Sequence, residues 1–326
     1  MVTWEQYRGL GDEWDGHVSA LNGSFYQSYG WGEVRRVAGW RPLRLLARRG
    51  GEVVAGASVL YKLKLGVAVC WVPGGPLGGC ELFDDEFRAA LVSALGSQFY
   101  YCRISLLRAG KGAETTSLTG NGWHRPRFTI SSGLTMTYAL KGDKDERLKR
   151  TSSNWRHNLK RSGRYGLLVV HWQAPDLDAI KALYREMESL KSIPEQHSGA
   201  ELAAIFTECN DQVIVYSCRD AEGRLLAVRA AGLSGTRAMD LLAVAGREAR
   251  KVYASHATLW ALLDHCSRLG LNDYDLSGVD PVKNRGVFDF KHGTGANLVE
   301  CLGEWEWAAL PGLRQAVNWL MERKAP

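Results

Sequence analysis

The segment Gly286 to Gly295, GVFDFKHGTG, sets one amine and one carboxylate two residues apart between glycines. Read with a period of two, Val287, Asp289 and Lys291 share one side, and Phe288, Phe290 and His292 the other. The spacing predicts a strand whose phenylalanines anchor in a core, with glycines 286, 293 and 295 freeing the backbone to turn at each end. That arrangement pins one ammonium group at the rim of a packed domain, with a carboxylate two residues behind it. Asp289, on the same face, would orient the amine or keep it protonated. An edge strand ending in a solvated lysine has the same spacing, so the segment alone leaves both readings open. His292 falls on the core side and reads as structural.

Other chemistries lack their residues. No G-x-x-x-x-G-K-[ST] phosphate loop occurs, RAGKGAE being the nearest string, and there is no G-x-S-x-G nucleophile elbow. The histidines and cysteines show no metal-ligand spacing, so no metal is expected. Seven scattered cysteines read as reduced core thiols of a cytoplasmic protein. The glycines of the loop PGGPLGG, 73–79, could present amides to a carbonyl or phosphate or could simply make turns. Arg156, Lys160 and Arg164 recur every four residues opposite Trp155 and Leu159. With Lys149, Arg150 and Arg161 they form a basic ridge, either a wetted helix face or a surface for a polyanion. Net charge is +6, a mild bias toward such partners.

The elements that must carry these residues form an α/β (α+β) pattern. With 326 residues, 45% hydrophobic and 23% charged, the chain can build two cores. No apolar run is long enough to span a membrane, and the start carries acids and tryptophans where a signal peptide would be apolar. A helix over SFYQSYGWGEVRRVAGW is expected to stop at Pro42. Strands then read at LRLLARR, EVVAGASVLYKL and VAVCWV, followed by a helix over DDEFRAALVSAL and a strand RISLL. Between RISLL and GWHRPRF the chain reads as a Gly-, Thr- and Ser-rich loop. After Gly142 one long helix is expected over RLKRTSSNWRHNLKRS. The run VIVYSCRDAEGRLLAVRAAGLSGTRAMDLLAVA then repeats the strand–turn–strand–strand order of residues 43–72, and a helix capped by Ser255 follows. The halves are expected at 1–142 together with 311–326, and at 143–310.

Four segments carry a resemblance: QSYGWGEVRRVAGWRP, WVPGGPLGG, NWRHNLKRSGRYGLLV and YDLSGVDPVKNRGVFDFKHGTGANLVECLGEW. In order and spacing the chain resembles the Fem-type aminoacyltransferases, which carry two domains of the GCN5-related acetyltransferase (GNAT) fold. The resemblance implies two tandem GNAT-like domains, each a mostly antiparallel mixed sheet flanked by helices. It implies transfer of an amino acid from aminoacyl-tRNA, the co-substrate in place of any cofactor, to an amine of a peptide acceptor. That acceptor is a peptidoglycan precursor or, in some relatives, a peptide or nucleoside natural product. Lys291 matches the family lysine at the oxyanion, and Phe290 lies beside it at the substrate. Arg35 matches a basic residue reaching acceptor phosphates, a solvated helix arginine being the plain alternative. Tyr253 matches a tyrosine of the acceptor cleft. The ridge of Arg156, Lys160, Arg161 and Arg164 becomes the candidate for the tRNA acceptor stem. The family's long helical arm is absent, because no stretch of about 50 residues sustains heptads. An acyl-CoA-dependent N-acyltransferase is the alternative, but that fold grips CoA pyrophosphate with a loop [RQ]-x-x-G-x-[GA], and GREARKVYAS lacks its glycines.

Overall fold

A computed structural model describes residues 2–110 and 112–324. Lys111, in the RAGKGAE string, lies outside them. The chain divides into two compact units, one running to Leu134 and resuming at Val299, the other spanning Thr135–Leu298.

The first unit opens with β1 (Val2–Gln6), α1 (Gly11–Ala20) and α2 (Tyr29–Val34), and continues through β2 (Arg41–Arg49), β3 (Glu52–Lys64) and β4 (Val67–Pro73). Helix α3 (Asp85–Leu95), β5 (Tyr100–Ala109) and α4 (Gly112–Gly120) follow. Strands β1 to β4 pair antiparallel in sequence, and β5 joins β4 parallel after the α3 crossover. Asp84 caps α3 by accepting from the Glu86 and Phe87 amides, and Phe87, Leu91 and Leu95 bury one stripe against the sheet.

The second unit repeats this order. It comprises β6 (Leu134–Ala139), α5 (Lys144–Arg150), α6 (Ser153–Ser162), β7 (Leu168–His171), α7 (Leu177–Lys191) and α8 (Gly199–Glu208). Then come β8 (Val213–Arg219), β9 (Leu225–Ser234), β10 (Arg237–Ala245), α9 (Ala254–Arg268), β11 (Asp273–Gly278) and α10 (Arg285–His292). Strands β7 to β10 pair antiparallel in sequence, β11 joins β10 parallel after α9, and β6 pairs antiparallel with β11. Both units therefore carry a meander, a crossover helix and a parallel strand, the duplicated pattern legible in the sequence. The chain returns to the first unit through β12 (Asn297–Ala308), antiparallel to β5, and α11 (Pro311–Lys324).

Several expectations need correction. Boundaries at 142 and 310 move to 134 and 298, because β6 pairs with β11 and β12 pairs with β5. The expected helix over 147–162 breaks in two: Thr151 is extended, and the Ser152 hydroxyl accepts from the Trp155 amide to begin α6. Residues 112–120 are helical rather than looped. The helix after Ser28 ends at left-handed Gly39, before Pro42, which already lies in β2. Ser255 lies inside α9, whose first flanking residue is Tyr253.

A fully buried charged group ties β12 and α11 into the first unit. Arg103, 2% exposed, donates to Glu304 at 3.1 Å, Glu306 at 3.4 Å and the Tyr101 hydroxyl at 2.9 Å. Asn318 of α11 donates to both Glu306 oxygens at 2.8 Å, and the other Glu304 oxygen accepts from the Ile130 and Ser131 amides. Removing the cation strands two buried carboxylates. Arg103→Met is therefore expected to lower unfolding free energy by about 3–5 kcal/mol. Urea denaturation followed by circular dichroism reads this directly, and an unshifted midpoint would contradict the network's role.

Candidate active site

The segment around Lys291 is a helix, not a strand. Two i,i+4 contacts lock it: Arg285 Nε donates to Asp289 at 2.9 Å, and the Phe288 and His292 rings stack with centroids 5.8 Å apart. At about 100° per residue, positions 289 and 291 point to nearly opposite sides. Asp289 is thus an exposed partner of Arg285 and does not orient Lys291. His292, expected in the core, is exposed.

Lys291 itself is 8% exposed. Its Nζ donates to the carbonyls of Ser277 at 3.2 Å and Gly278 at 2.9 Å, at the end of β11. Ser277 reaches this geometry with a left-handed φ of 62°, and the β6–β11 register shifts between Asp275 and Gly278. Such a conformation in a residue with a Cβ costs on the order of 1 kcal/mol or more and aims two carbonyls at one amine. An ammonium carries three donors, so one N–H remains without a protein acceptor among the described residues. Burial pushes the Lys291 pKa below its ordinary 10.5; Asp240 pulls it up, Arg229 pushes it down and Asp275 pulls it up.

Behind this amine lies a polar set that sequence reasoning missed. Arg229 and Asp240, both buried, form a two-pronged pair at 2.8 and 2.6 Å, and the Tyr274 hydroxyl donates to Asp240 at 2.8 Å. The Ser277 hydroxyl donates to the Asp240 carbonyl at 2.8 Å, linking the pair's strand to the carbonyls that hold Lys291. Asp275 accepts from the Thr135 hydroxyl and the Ser277 amide, while burial raises its pKa. An arginine inside the apolar run LLAVRAAG and an aspartate inside AMDLLAVA were the available signals.

Aromatic rings wall the site. Phe290 packs edge-on against His256 at 5.0 Å and near Trp155 at 6.2 Å, with the Arg229 guanidinium 5.6 Å from its centroid. His256 also meets Trp155 at 5.1 Å and Tyr253 at 5.9 Å. Burial, aided by Arg229, lowers the His256 pKa to about 4, so the imidazole is neutral near pH 7. Gly293 is required here: a Cβ would sit 2.9 Å from Trp155, while the Gly293 carbonyl accepts from the Ser152 amide at 2.8 Å. The two most specific sequence segments, NWRHNLK and FDFKHG, thus meet within one unit.

The remaining predicted residues divide. Tyr253 stands two rings from Phe290, with a left-handed φ of 59°, and the Arg161 guanidinium lies 4.7 Å from its ring. Arg156 spends its guanidinium on the Leu148 and Lys149 carbonyls at 3.3 and 3.4 Å, closing α5, so it leaves the ridge. Lys160 and Arg164 are exposed, but α6 ends at Ser162, so the every-four stripe does not continue along a helix. Arg35, in the first unit, ends α2 with its guanidinium 5.7 Å from Trp31. Lys62, also missed, lies 4.7 Å from the Trp40 ring; burial lowers its pKa, with Lys64 and Arg35 adding to the effect. The loop 73–79 folds onto β3, where Leu77 and Gly56 exchange backbone hydrogen bonds at 2.7 and 3.2 Å, so turn geometry accounts for it.

Two further chemistries find no support. Burial raises the Cys102 and Cys266 thiols to about 12, far from a thiolate at neutral pH. The loop after β10 is capped by protein: Glu186 of α7 accepts from the Arg247 amide at 2.7 Å, and its carboxylate lies within 2.9 Å of where a Gly246 Cβ would be. Among the described residues no His, Cys, Asp and Glu cluster could hold a metal ion, and no helix is long and apolar enough to cross a membrane.

The depressed His256 pKa has a measurable consequence. Between about pH 4 and 6.5 the unfolded chain binds a proton that the folded chain does not. Stability is therefore complete above pH 6.5 and declines as pH falls toward 4. His256→Phe is expected to flatten that limb in urea denaturation series. An NMR titration placing the His256 midpoint near 6.5 would contradict the burial described.

The family described as Acetyltransferase (GNAT) domain matches residues 149–292. Compared by sequence with curated proteins, the chain matches none. Among solved structures, FemX superposes with a TM-score of 0.84 at 17% identity, covering 96% of this chain and 100% of that one. A tandem GNAT protein from the clavulanic acid biosynthesis pathway gives 0.58 at 14% identity, covering 95% and 99%. The C-terminal domain of a putative lysylphosphatidylglycerol synthetase from Agrobacterium fabrum gives 0.58 at 15% identity, covering 96% of each chain. The likeness read from four sequence segments is met by the fold: this chain has two tandem GNAT-like domains with the architecture of FemX.

Proposed function

We propose that the protein is an aminoacyltransferase that moves an amino acid from aminoacyl-tRNA to an amine of a peptide acceptor. The acceptor is a peptidoglycan precursor peptide or a peptide or nucleoside natural product, and the donor places the reaction in the cytoplasm. The observation that carries this reading is the buried Lys291 ammonium, with two donors fixed on backbone carbonyls and a third available.

In the reaction the acceptor amine attacks the ester carbonyl carbon, and negative charge develops on its oxygen. The remaining Lys291 N–H meets that oxyanion. The tetrahedral centre collapses, the C–O bond to the tRNA ribose breaks, and the ribose oxygen takes the proton that leaves the amine. One ester is consumed, one amide forms, and no nucleotide is hydrolysed. His256 is neutral and adjacent to Phe290, so its imidazole adds no charge to the wall. Arg35 would face acceptor phosphate, and Tyr253 with Arg161 would form part of the acceptor wall. Of the expected tRNA contacts, Lys160 and Arg164 keep exposed charges for the acceptor stem, and exposed Lys149 joins them.

The acyl-CoA alternative is disfavoured by Glu186. Its carboxylate accepts from the Arg247 amide of the loop where the GNAT fold would take CoA pyrophosphate, and a second anion there would meet like charge.

The decisive assay supplies labelled aminoacyl-tRNA or labelled acetyl-CoA with candidate amine acceptors and follows amide product. Label is expected from the tRNA ester; label from CoA alone would overturn the reading. Lys291→Ala is expected to lower kcat by about 10²–10³-fold, the cost of losing one oxyanion donor. Because the ammonium must stay protonated, wild-type kcat is expected to fall as pH rises through a pKa below 10.5. Lys160→Gln with Arg164→Gln should reduce the slope of log affinity for tRNA against log salt by about 0.9 for each phosphate these side chains neutralise. An unchanged slope would remove these residues from the tRNA surface.

A further inference from the structure

The first unit contains a cleft that the Lys291 chemistry does not use. It has a volume of about 380 Å³ and is lined by His124, Arg125, Arg127, Arg314, Gln315 and Asn318, with Glu306 in its wall. That volume lies at the lower end of small-molecule sites. Three guanidinium groups converge here, two from the segment after α4 and one from α11.

Arg125 is fixed in place. Its Nη1 donates to the Leu302 and Glu304 carbonyls at 2.6 and 3.2 Å, and its guanidinium lies 3.9 Å from the centroid of Trp305. No carboxylate lies within ion-pair distance of it among the described residues. Burial lowers its pKa, and Glu300 pulls the other way. Arg314 has one carboxylate neighbour, Glu306 at 3.9 Å. That carboxylate already accepts from Tyr101 at 2.8 Å, Asn318 at 2.8 Å and Arg103 at 3.4 Å. Arg127 pairs with Glu322 at 2.9 Å while remaining exposed at the rim. His124 reports the resulting field: burial lowers its pKa, and Arg314 lowers it further against the pull of Glu306. Two under-neutralised forks, one already immobilised, match the planar, many-oxygen surface of a phosphoryl group. Preorganising Arg125 removes part of the entropy cost of binding.

We propose that this cleft is an anion site for a phosphorylated small molecule, nucleotide-sized or smaller. It is separate from the transfer chemistry, so neither proposal depends on the other. The test is isothermal titration of inorganic pyrophosphate into the full chain at low ionic strength. One saturable site per chain is expected, weakened about tenfold in Arg314→Gln and in Arg125→Gln, each of which removes one charge-assisted hydrogen-bond donor group. Affinity is expected to be unchanged in Arg8→Gln, an exposed arginine of the first unit outside the cleft. Because Arg125 also braces the β12 backbone, its variant is checked by circular dichroism and melting; if it fails to fold, Arg314→Gln decides. No saturable binding, equal affinity in Arg314→Gln and wild type, or equal weakening in Arg8→Gln would overturn the proposal. A trinucleotide phosphodiester of equal charge is the competing probe. Displacement of pyrophosphate by it at equal concentration would overturn the small-molecule assignment in favour of a nucleic acid backbone.

Discussion

A buried ammonium is expensive unless its protons have acceptors, and that constraint organises the second unit. Lys291 meets it with two carbonyls at the end of β11. Those carbonyls point inward only because Ser277 takes a left-handed conformation and the strand register shifts beside it. Ser277 in turn is anchored through its hydroxyl to the Asp240 carbonyl and through its amide to Asp275. Asp240 is matched by Arg229 and Tyr274, so the charge behind the amine is balanced before any ligand arrives. Packing completes the arrangement: Gly293 lets α10 approach Trp155, and Phe290 closes against His256. Each step is local, and together they fix one positive group to a small volume, which is the preorganisation that acyl transfer rewards.

The same economy of partners separates the two donor classes open to a GNAT scaffold. A CoA-using fold leaves amides open at the loop before its crossover helix. Here a carboxylate from α7 takes one of those amides. The chain keeps the scaffold, and the proposed ester donor would need no pyrophosphate cradle. The first unit keeps the meander and crossover as well, but its buried polar group, Arg103 with Glu304 and Glu306, is spent on holding β12 and α11. The two units share a scaffold, and the polar residues inside them differ.

Much of this was legible in the sequence. Turn residues and alternating apolar runs located both meanders, and the α3 and α9 stripes followed the helical period. Lys291, Phe290 and Trp155 stood out through the family likeness, and they pack into one site. The misreading of 287–292 as a strand has a clear cause: FDFK alternates, and six residues fit either period. The i,i+4 pairs Arg285–Asp289 and Phe288–His292 favoured a helix, and they detach Asp289 from Lys291. Arg156 looked like part of a solvated ridge because its role, closing α5, depends on the break at Thr151. The Arg229–Asp240 pair lies on two strands whose register only tertiary pairing fixes, so no linear spacing announced it.

The central claim is that Lys291 binds charge that exists only during transfer. It is tested most directly with two analogues of the donor's 3′ end, one an uncharged amide and one a tetrahedral phosphonate. Wild-type protein and Lys291→Ala are titrated with each. The account predicts that the variant binds the phosphonate roughly 100-fold more weakly while amide affinity stays within about twofold. Equal weakening for both, or none for the phosphonate, would contradict it.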